Sequence, residues 1–296
     1  MFNYNRLPEY SEPLYRPPSE AYSLILQLTF GCSHNKCSFC TMYKRKKYYV
    51  KSFEEIKRDI DLFRESLSYV RRIFIADGDA MSVPTDHLVK TVRYIREVFP
   101  ECERISAYAS PKSIIEKSDE ELKAIRESGI SLVYLGIESG DSETLKKIHK
   151  DVDSNGMAEI GKRIKKAGFK LSATLIVGVN GQDDWYNHAV NSGKIVSEIK
   201  PDYLGVLTLI ISPGCEIYNL MNEGKFKEAS SLEILKEIRT IIENIHCDKE
   251  IVFRANHASN YLNLAGTLPY DKEKMLKEID SVLNGDREIK KKYRRL

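Results

Sequence analysis

Cys32, Cys37 and Cys40 fall within nine consecutive positions, in the run Gly31-Cys32-Ser33-His34-Asn35-Lys36-Cys37-Ser38-Phe39-Cys40. Three thiols this close together, just after the apolar run Leu24 to Phe30, read as a metal site. Two chemistries suit them. Zinc closes four ligands, and His34 is available as the fourth. An iron–sulfur cube takes three thiolates and leaves one iron open to a ligand that is not protein. The spacing alone leaves both open.

Other polar clusters share one topological position. Asp77-Gly78-Asp79, Glu138-Ser139-Gly140, Gly178 to Gly181 and Pro213-Gly214-Cys215 each follow an apolar run that reads as a strand. The strands are 24–28, 72–76, 104–109, 132–138, 170–178 and 203–211, and helical periodicity fills the gaps between them. Ser52-Phe53-Glu54-Glu55, Ser118-Asp119-Glu120-Glu121 and Ser230-Ser231-Leu232-Glu233 carry the Ser-x-x-Glu pattern that opens a helix. Further helices are expected near 85–98, 142–149, 155–167, 184–198 and 271–283. A short strand at 251–254 leads into Asn256-His257-Ala258-Ser259-Asn260.

Strands alternating with helices predict an α/β fold with a parallel sheet and right-handed crossovers. Loops gathered at the C-terminal ends of the strands are where barrel enzymes keep their chemistry. The expected architecture is a partial (β/α)6 TIM-like barrel with a small C-terminal cap. The expected organisation is an irregular proline-rich arm (1–21), a core barrel (22–215) and a helical C-terminal extension (216–296). Within the arm, Tyr10 and Tyr15 are candidates to pin it to the body.

The chain has 296 residues, 42% of them hydrophobic and 30% charged, with a net charge of +3. That balance describes an ordinary globule and does not by itself argue for nucleic acid. No apolar run approaches the roughly 20 residues of a membrane helix, and Met1 to Arg6 lacks a signal peptide's apolar core. Six cysteines, three of them clustered, suit a reducing cytoplasm rather than a disulfide framework.

Taken together, these motifs resemble the radical S-adenosylmethionine (radical SAM) superfamily, over about residues 22 to 215. The likeness is to the branch of oxygen-independent coproporphyrinogen oxidase and MiaB-type methylthiotransferases. Cys37-Ser38-Phe39-Cys40 matches its Cys-x-aromatic-Cys ending, and Asp77-Gly78-Asp79 resembles its Gly-Gly-Glu motif. Gly136-Ile137-Glu138-Ser139-Gly140 and Ile176-Val177-Gly178 resemble its fourth- and fifth-strand signatures. Two departures stand out. Four residues separate Cys32 from Cys37 where the family usually has three, and Asp77 replaces a glycine.

The resemblance implies a [4Fe-4S] cluster on Cys32, Cys37 and Cys40, with S-adenosylmethionine chelating the fourth iron. It implies reductive cleavage to a 5′-deoxyadenosyl radical, hydrogen abstraction from a small metabolite or cofactor precursor, and a reduced flavodoxin or ferredoxin-type electron donor. In that reading Phe39 packs on the adenine, or else shields the cluster. Main-chain groups of Asp77, Gly78 and Asp79 meet the methionyl ammonium, Glu138 the ribose hydroxyls, and Gly178 the adenine. Tight turns and a buried ion pair are the bland alternatives for these residues. Cys215 could donate hydrogen to a substrate radical, or be an ordinary buried thiol like Cys102 and Cys247. Asn256, His257 and Asn260 are candidate substrate contacts, His257 also as acid or base, against a structural histidine and a turn asparagine. The segment Tyr43 to Lys51 reads as a solvated basic face, or as a contact for RNA or for the carboxylates of an anionic metabolite, with Lys290 to Arg295 adding charge. An RNA-modifying radical enzyme, a non-catalytic haem-binding protein and a zinc-structured module are the rival functions.

Overall fold

The structure, a computed structural model, describes residues 7–289; Met1 to Arg6 and the basic run Lys290 to Arg295 lie outside the described residues. The chain divides into two compact units. The first is built from the chain up to Asn35, Met42–Leu135 and Arg163–Lys170. The second takes Lys36–Thr41, Gly136–Lys162 and the chain from Leu171 onward.

In the first unit, β1 (Leu24–Gln27), β4 (Arg72–Ala76), β5 (Arg104–Ala109) and the start of β6 (Ile130–Glu138) lie side by side and parallel. A two-residue pair, β2 (Thr29–Phe30) and β3 (Tyr49–Val50), frames the loop after β1. Helices α1 (Phe53–Ser66), α2 (Thr85–Val98) and α4 (Asp119–Ser128) pack in sequence, α1 on α2 and α2 on α4. Short α3 (Pro111–Ile115) precedes α4. The core is aliphatic: Ile56 and Ile60 of α1, Val92 and Ile95 of α2, and Ile125 of α4 are fully buried with Ile73, Ile75 and Val133 of the strands. The Ser-x-x-Glu signals hold as reciprocal capping boxes at Ser52/Glu55 and Ser118/Glu121, each cap stabilising its helix by about 1 kcal/mol.

The N-terminal arm is irregular and tied down as expected. The Tyr10 hydroxyl donates to the Ile25 carbonyl at 2.9 Å, and Tyr15 meets the Tyr43 ring edge-on. Glu20 is fully buried; its carboxylate accepts from Arg104, Ser106 and Tyr134 at 2.9, 2.9 and 2.6 Å.

In the second unit, β7 (Lys170–Val177), β8 (Tyr203–Thr208) and β9 (Ile251–Ala255) are parallel, and β10 (Leu264–Leu268) closes antiparallel on β9. The helices are α5 (Ser142–Lys147), α6 (Ser154–Lys166), α7 (Trp185–Ile199), α8 (Glu216–Asn222), α9 (Ser231–Glu243) and α10 (Lys272–Leu283). Helix α9 packs between α7 and α10, and Ser230/Glu233 forms the third expected capping box. One face of this sheet, with Ala173, Leu175, Leu204, Val206, Phe253 and Leu264, is buried. Helix α10 covers part of it, since a Cβ on Gly266 would lie 2.7 Å from Asp271 and 3.2 Å from Met275. Beyond residue 215 the chain therefore carries two strands as well as helices, and β10 is the one the sequence pattern did not reveal. Among the described residues, no helix is long and apolar enough to cross a membrane.

Candidate functional site

The loop after β1 is built around Asp77. Its carboxylate, wholly buried, accepts from the Gly31 N–H at 2.9 Å, Gln27 Nε2 at 3.0 Å and Lys46 Nζ at 2.6 Å. Lys46 also donates to the carbonyls of Ser11 and Pro13, so one ammonium joins the arm, the basic segment and the turn after β4. The backbone of that turn is equally committed. The Asp77 N–H donates to Thr29, and the Gly78 N–H to the Gly31 carbonyl at 3.0 Å. What the turn can offer an ammonium is therefore its carbonyl oxygens.

Gly78 is a glycine for a steric reason. A Cβ there would lie 2.6 Å from the Tyr43 ring and 3.1 Å from the Cys32 Cβ. Asp79, fully buried, accepts from Ser33 Oγ and from the Ser110 N–H and hydroxyl at 3.0 and 2.6 Å. Burial pushes its carboxyl above the usual carboxylate range, and the serine hydrogen bonds oppose the shift. The loop bearing Cys32 is thus anchored by two buried aspartates from the end of β4.

The basic segment is only partly a solvated face. Lys46 is spent on Asp77, and Lys51 pairs with Asp59 at 2.5 Å, its side chain 11% exposed. Lys44 donates to the Asn35 carbonyl, while Arg45 and Lys47 are exposed.

Cys32 belongs to the first unit; Cys37, Phe39 and Cys40 belong to the second. All four are half-buried. Within the second unit the cysteine loop is held through Ser38, whose N–H donates to the Ile148 carbonyl at 3.2 Å. Its carbonyl accepts from the Ile217 N–H at 3.1 Å. Cys215 is buried at the start of α8, two residues before Ile217. Among the described residues, no group of three or more His, Cys, Asp or Glu side chains is placed to hold a metal ion.

Glu138 ends β6 in the left-handed region, φ +65°. Its Oε1 sits 3.5 Å from Lys150 Nζ, and among the described residues its buried Oε2 has no hydrogen-bond partner. Burial raises its pKa, and the Lys150 ammonium opposes the rise. The next residue, Ser139, exchanges a 2.8 Å hydrogen bond with His188 Nδ1 of α7. The Gly178 N–H donates to both oxygens of Glu237 of α9, at 3.2 and 3.0 Å. His188 Nε2 lies 3.0 Å from the same carboxylate, out of line for a hydrogen bond. His188 and Glu237 are 0% and 1% exposed. The structure therefore adds two residues that sequence reading did not name. The space over Gly178, φ +78°, is filled by Ile234, where a Cβ would lie 2.6 Å from Cδ1.

Among the candidate substrate residues, Asn260 is fully buried and committed. It accepts from Thr208 Oγ1 and donates to the Val206 carbonyl, both at 2.8 Å. Asn256 is exposed and His257 half-buried. His257 Nδ1 accepts the Ser259 N–H at 3.1 Å, which leaves the ring proton on Nε2, and burial lowers its pKa.

The donor chemistry fits the expected groups. Within the second unit, Cys37 and Cys40 flank the anchored Ser38, and Glu138 Oε2 and Ser38 Oγ are buried polar atoms lacking partners among the described residues, open to a polar ligand.

Two curated relatives, each named "Heme chaperone HemW", resemble the chain. The Bacillus subtilis protein is 25% identical over 173 residues, covering 56% of this chain and 45% of that one. The Buchnera aphidicola protein is 24% identical over 193 residues, covering 62% and 50%. The chain spans about half the length of these relatives. Among solved structures, coproporphyrinogen III oxidase (HemN) from Escherichia coli gives a TM-score of 0.56 at 18% identity, covering 75% of this chain and 51% of that one. Methylornithine synthase (PylB) gives 0.55 at 17%, covering 92% and 75%. These likenesses show the fold and bear out the expected α/β, TIM-like class. The Radical SAM superfamily model matches residues 26–191, a stretch that holds the cysteine loop, both buried aspartates, Glu138 and Gly178. The chain belongs to the radical SAM superfamily.

Proposed function

We propose that this chain is an enzyme that cleaves S-adenosylmethionine reductively and abstracts hydrogen from a small metabolite or cofactor precursor. Cys32, Cys37 and Cys40 hold the [4Fe-4S] cluster, and a reduced flavodoxin or ferredoxin-type protein supplies its electron. When bound on these three cysteines, the cluster would supply the one-electron reduction that cleaves a sulfonium to methionine and a 5′-deoxyadenosyl radical. The chain's own residues bind and orient. Carbonyls of the Asp77-Gly78-Asp79 turn accept from the methionyl ammonium, Glu138 accepts from the ribose hydroxyls, and Phe39 and Gly178 border the adenine. The observation that carries this reading is the three-cysteine loop after the first strand, in a chain of this superfamily.

The experiment is anaerobic reconstitution with iron and sulfide, then dithionite and S-adenosylmethionine, with 5′-deoxyadenosine measured. Wild type forms it and Cys37→Ala does not. A protein that holds one zinc and no sulfide would overturn the reading.

The names of the two curated relatives favour a second reading, a haem-binding protein. Haem titration decides it: saturable binding without 5′-deoxyadenosine formation selects that function.

A further inference from the structure

In the second unit's sheet one face is buried, and the other carries half-buried and exposed residues together with the buried Ile176. Pairing in the parallel ladder sets Thr174 of β7 beside Gly205 of β8, and Gly205 beside Arg254 of β9. The antiparallel ladder sets Arg254 beside Ala265 of β10. Paired residues project to the same face, so these four form one row across four strands. They are half-buried or exposed, whereas their chain neighbours Ala173, Leu204, Val206, Phe253 and Leu264 are buried on the other face.

The row is a trough. Gly205 has no side chain, and a Cβ built there would meet nothing nearer than 3.8 Å. Ala265 contributes a methyl group. Tyr203 and Leu207, two positions either side of Gly205 on β8, stand higher on the same face.

Arg254 is the charge in this trough, and it is fastened. Its Nη1 donates to the carbonyls of Phe253 at 2.7 Å and Gly266 at 3.1 Å. Among the described residues it forms no ion pair, a state it shares with Arg96 and Arg126, which also donate to main-chain carbonyls. A guanidinium held by main chain has already lost much of its rotamer freedom, and its planar fork suits a carboxylate.

The geometry points to a carboxylate-binding subsite in which Arg254 pairs with an anionic group of the substrate and the body of the molecule lies over Gly205. Thr174 contributes a hydroxyl at the far end of the row. This rests on the reading of the chain as an enzyme acting on a small molecule, and it names that molecule's class: a slender carboxylic acid.

The test uses the full chain and succinate as the probe, followed by line broadening of its proton resonance, with neutral succinamide as the control. Wild type binds succinate in preference to succinamide. Arg254→Gln weakens succinate binding at least about tenfold. Gly205→Val, which fills the trough and leaves the guanidinium in place, weakens it as well. Equal binding by wild type and Arg254→Gln, or no preference over succinamide, overturns the subsite. The same wild-type preparation is assayed for 5′-deoxyadenosine. Product without succinate binding removes the subsite alone, and succinate binding without product removes the proposed reaction alone.

Discussion

Gly136 makes room for the carboxylate of Glu138. A Cβ at Gly136 would lie 1.9 Å from Glu138 Oε1, so the acid two residues on folds back over its own strand because that position is bare. The pair explains why a glycine interrupts an otherwise apolar strand.

Gly136→Ala is expected to push the Glu138 carboxylate off Lys150 and out of its buried position. Overpacking of this kind costs about 1–3 kcal/mol. Affinity for S-adenosylmethionine should fall by more than the stability loss accounts for, and equilibrium dialysis on folded protein checks it. Unchanged affinity would take Glu138 out of the nucleotide site.

Lys46→Ala should destabilise the fold by about 3–5 kcal/mol, because it leaves the fully buried Asp77 carboxylate without its cation. Lys47→Ala, at an exposed neighbour, should fall within about 0.5 kcal/mol of wild type. Urea unfolding of both variants separates the anchoring lysine from the solvated one.

Glu237→Gln keeps the shape of the side chain and retains an acceptor for the Gly178 N–H. Glu237→Ala removes that acceptor and should cost about 1–3 kcal/mol more than the Gln variant. If the Gly178 loop borders the nucleotide, the Ala variant should raise the apparent KM for S-adenosylmethionine and the Gln variant should restore most of it. Steady-state 5′-deoxyadenosine formation reads both.

His257 should titrate below about pH 6.5, the ordinary midpoint of a free imidazole. The sign follows from burial. The protonated ring is disfavoured in the fold, so its contribution to stability is complete above the unfolded midpoint and is lost as pH falls through the folded one. NMR titration of the ring protons checks the midpoint. Replacing His257 with Gln should flatten the stability profile below neutrality.

Much of the framework could be read from the chain because its signals are local. The three Ser-x-x-Glu boxes place helix starts to the residue, and the apolar runs mark the parallel strands. Strand β10 escaped because Leu264-Ala265-Gly266-Thr267-Leu268 has one β-branched residue and a central glycine; pairing with β9 supplies what propensity does not. Glu237 and His188 were hidden for another reason. Each reads as the polar side of an amphipathic helix, yet Glu237 sits three residues from Ile234 and four from Ile241, within the apolar stripe. His188 stands likewise four residues before buried Ser192. A polar residue inside such a stripe was the available signal. Lys46 gave none: its partner lies 31 positions away, and only the folded chain brings them together.

Helix α9 begins well past residue 191, where the likeness to the superfamily model stops, yet Glu237 on it reaches back to the Gly178 main chain. A protein severed at that limit would leave the Gly178 amide without the acceptor it donates to. The portion of this chain that can stand alone is therefore longer than the portion it shares, and any trimmed version must keep α9.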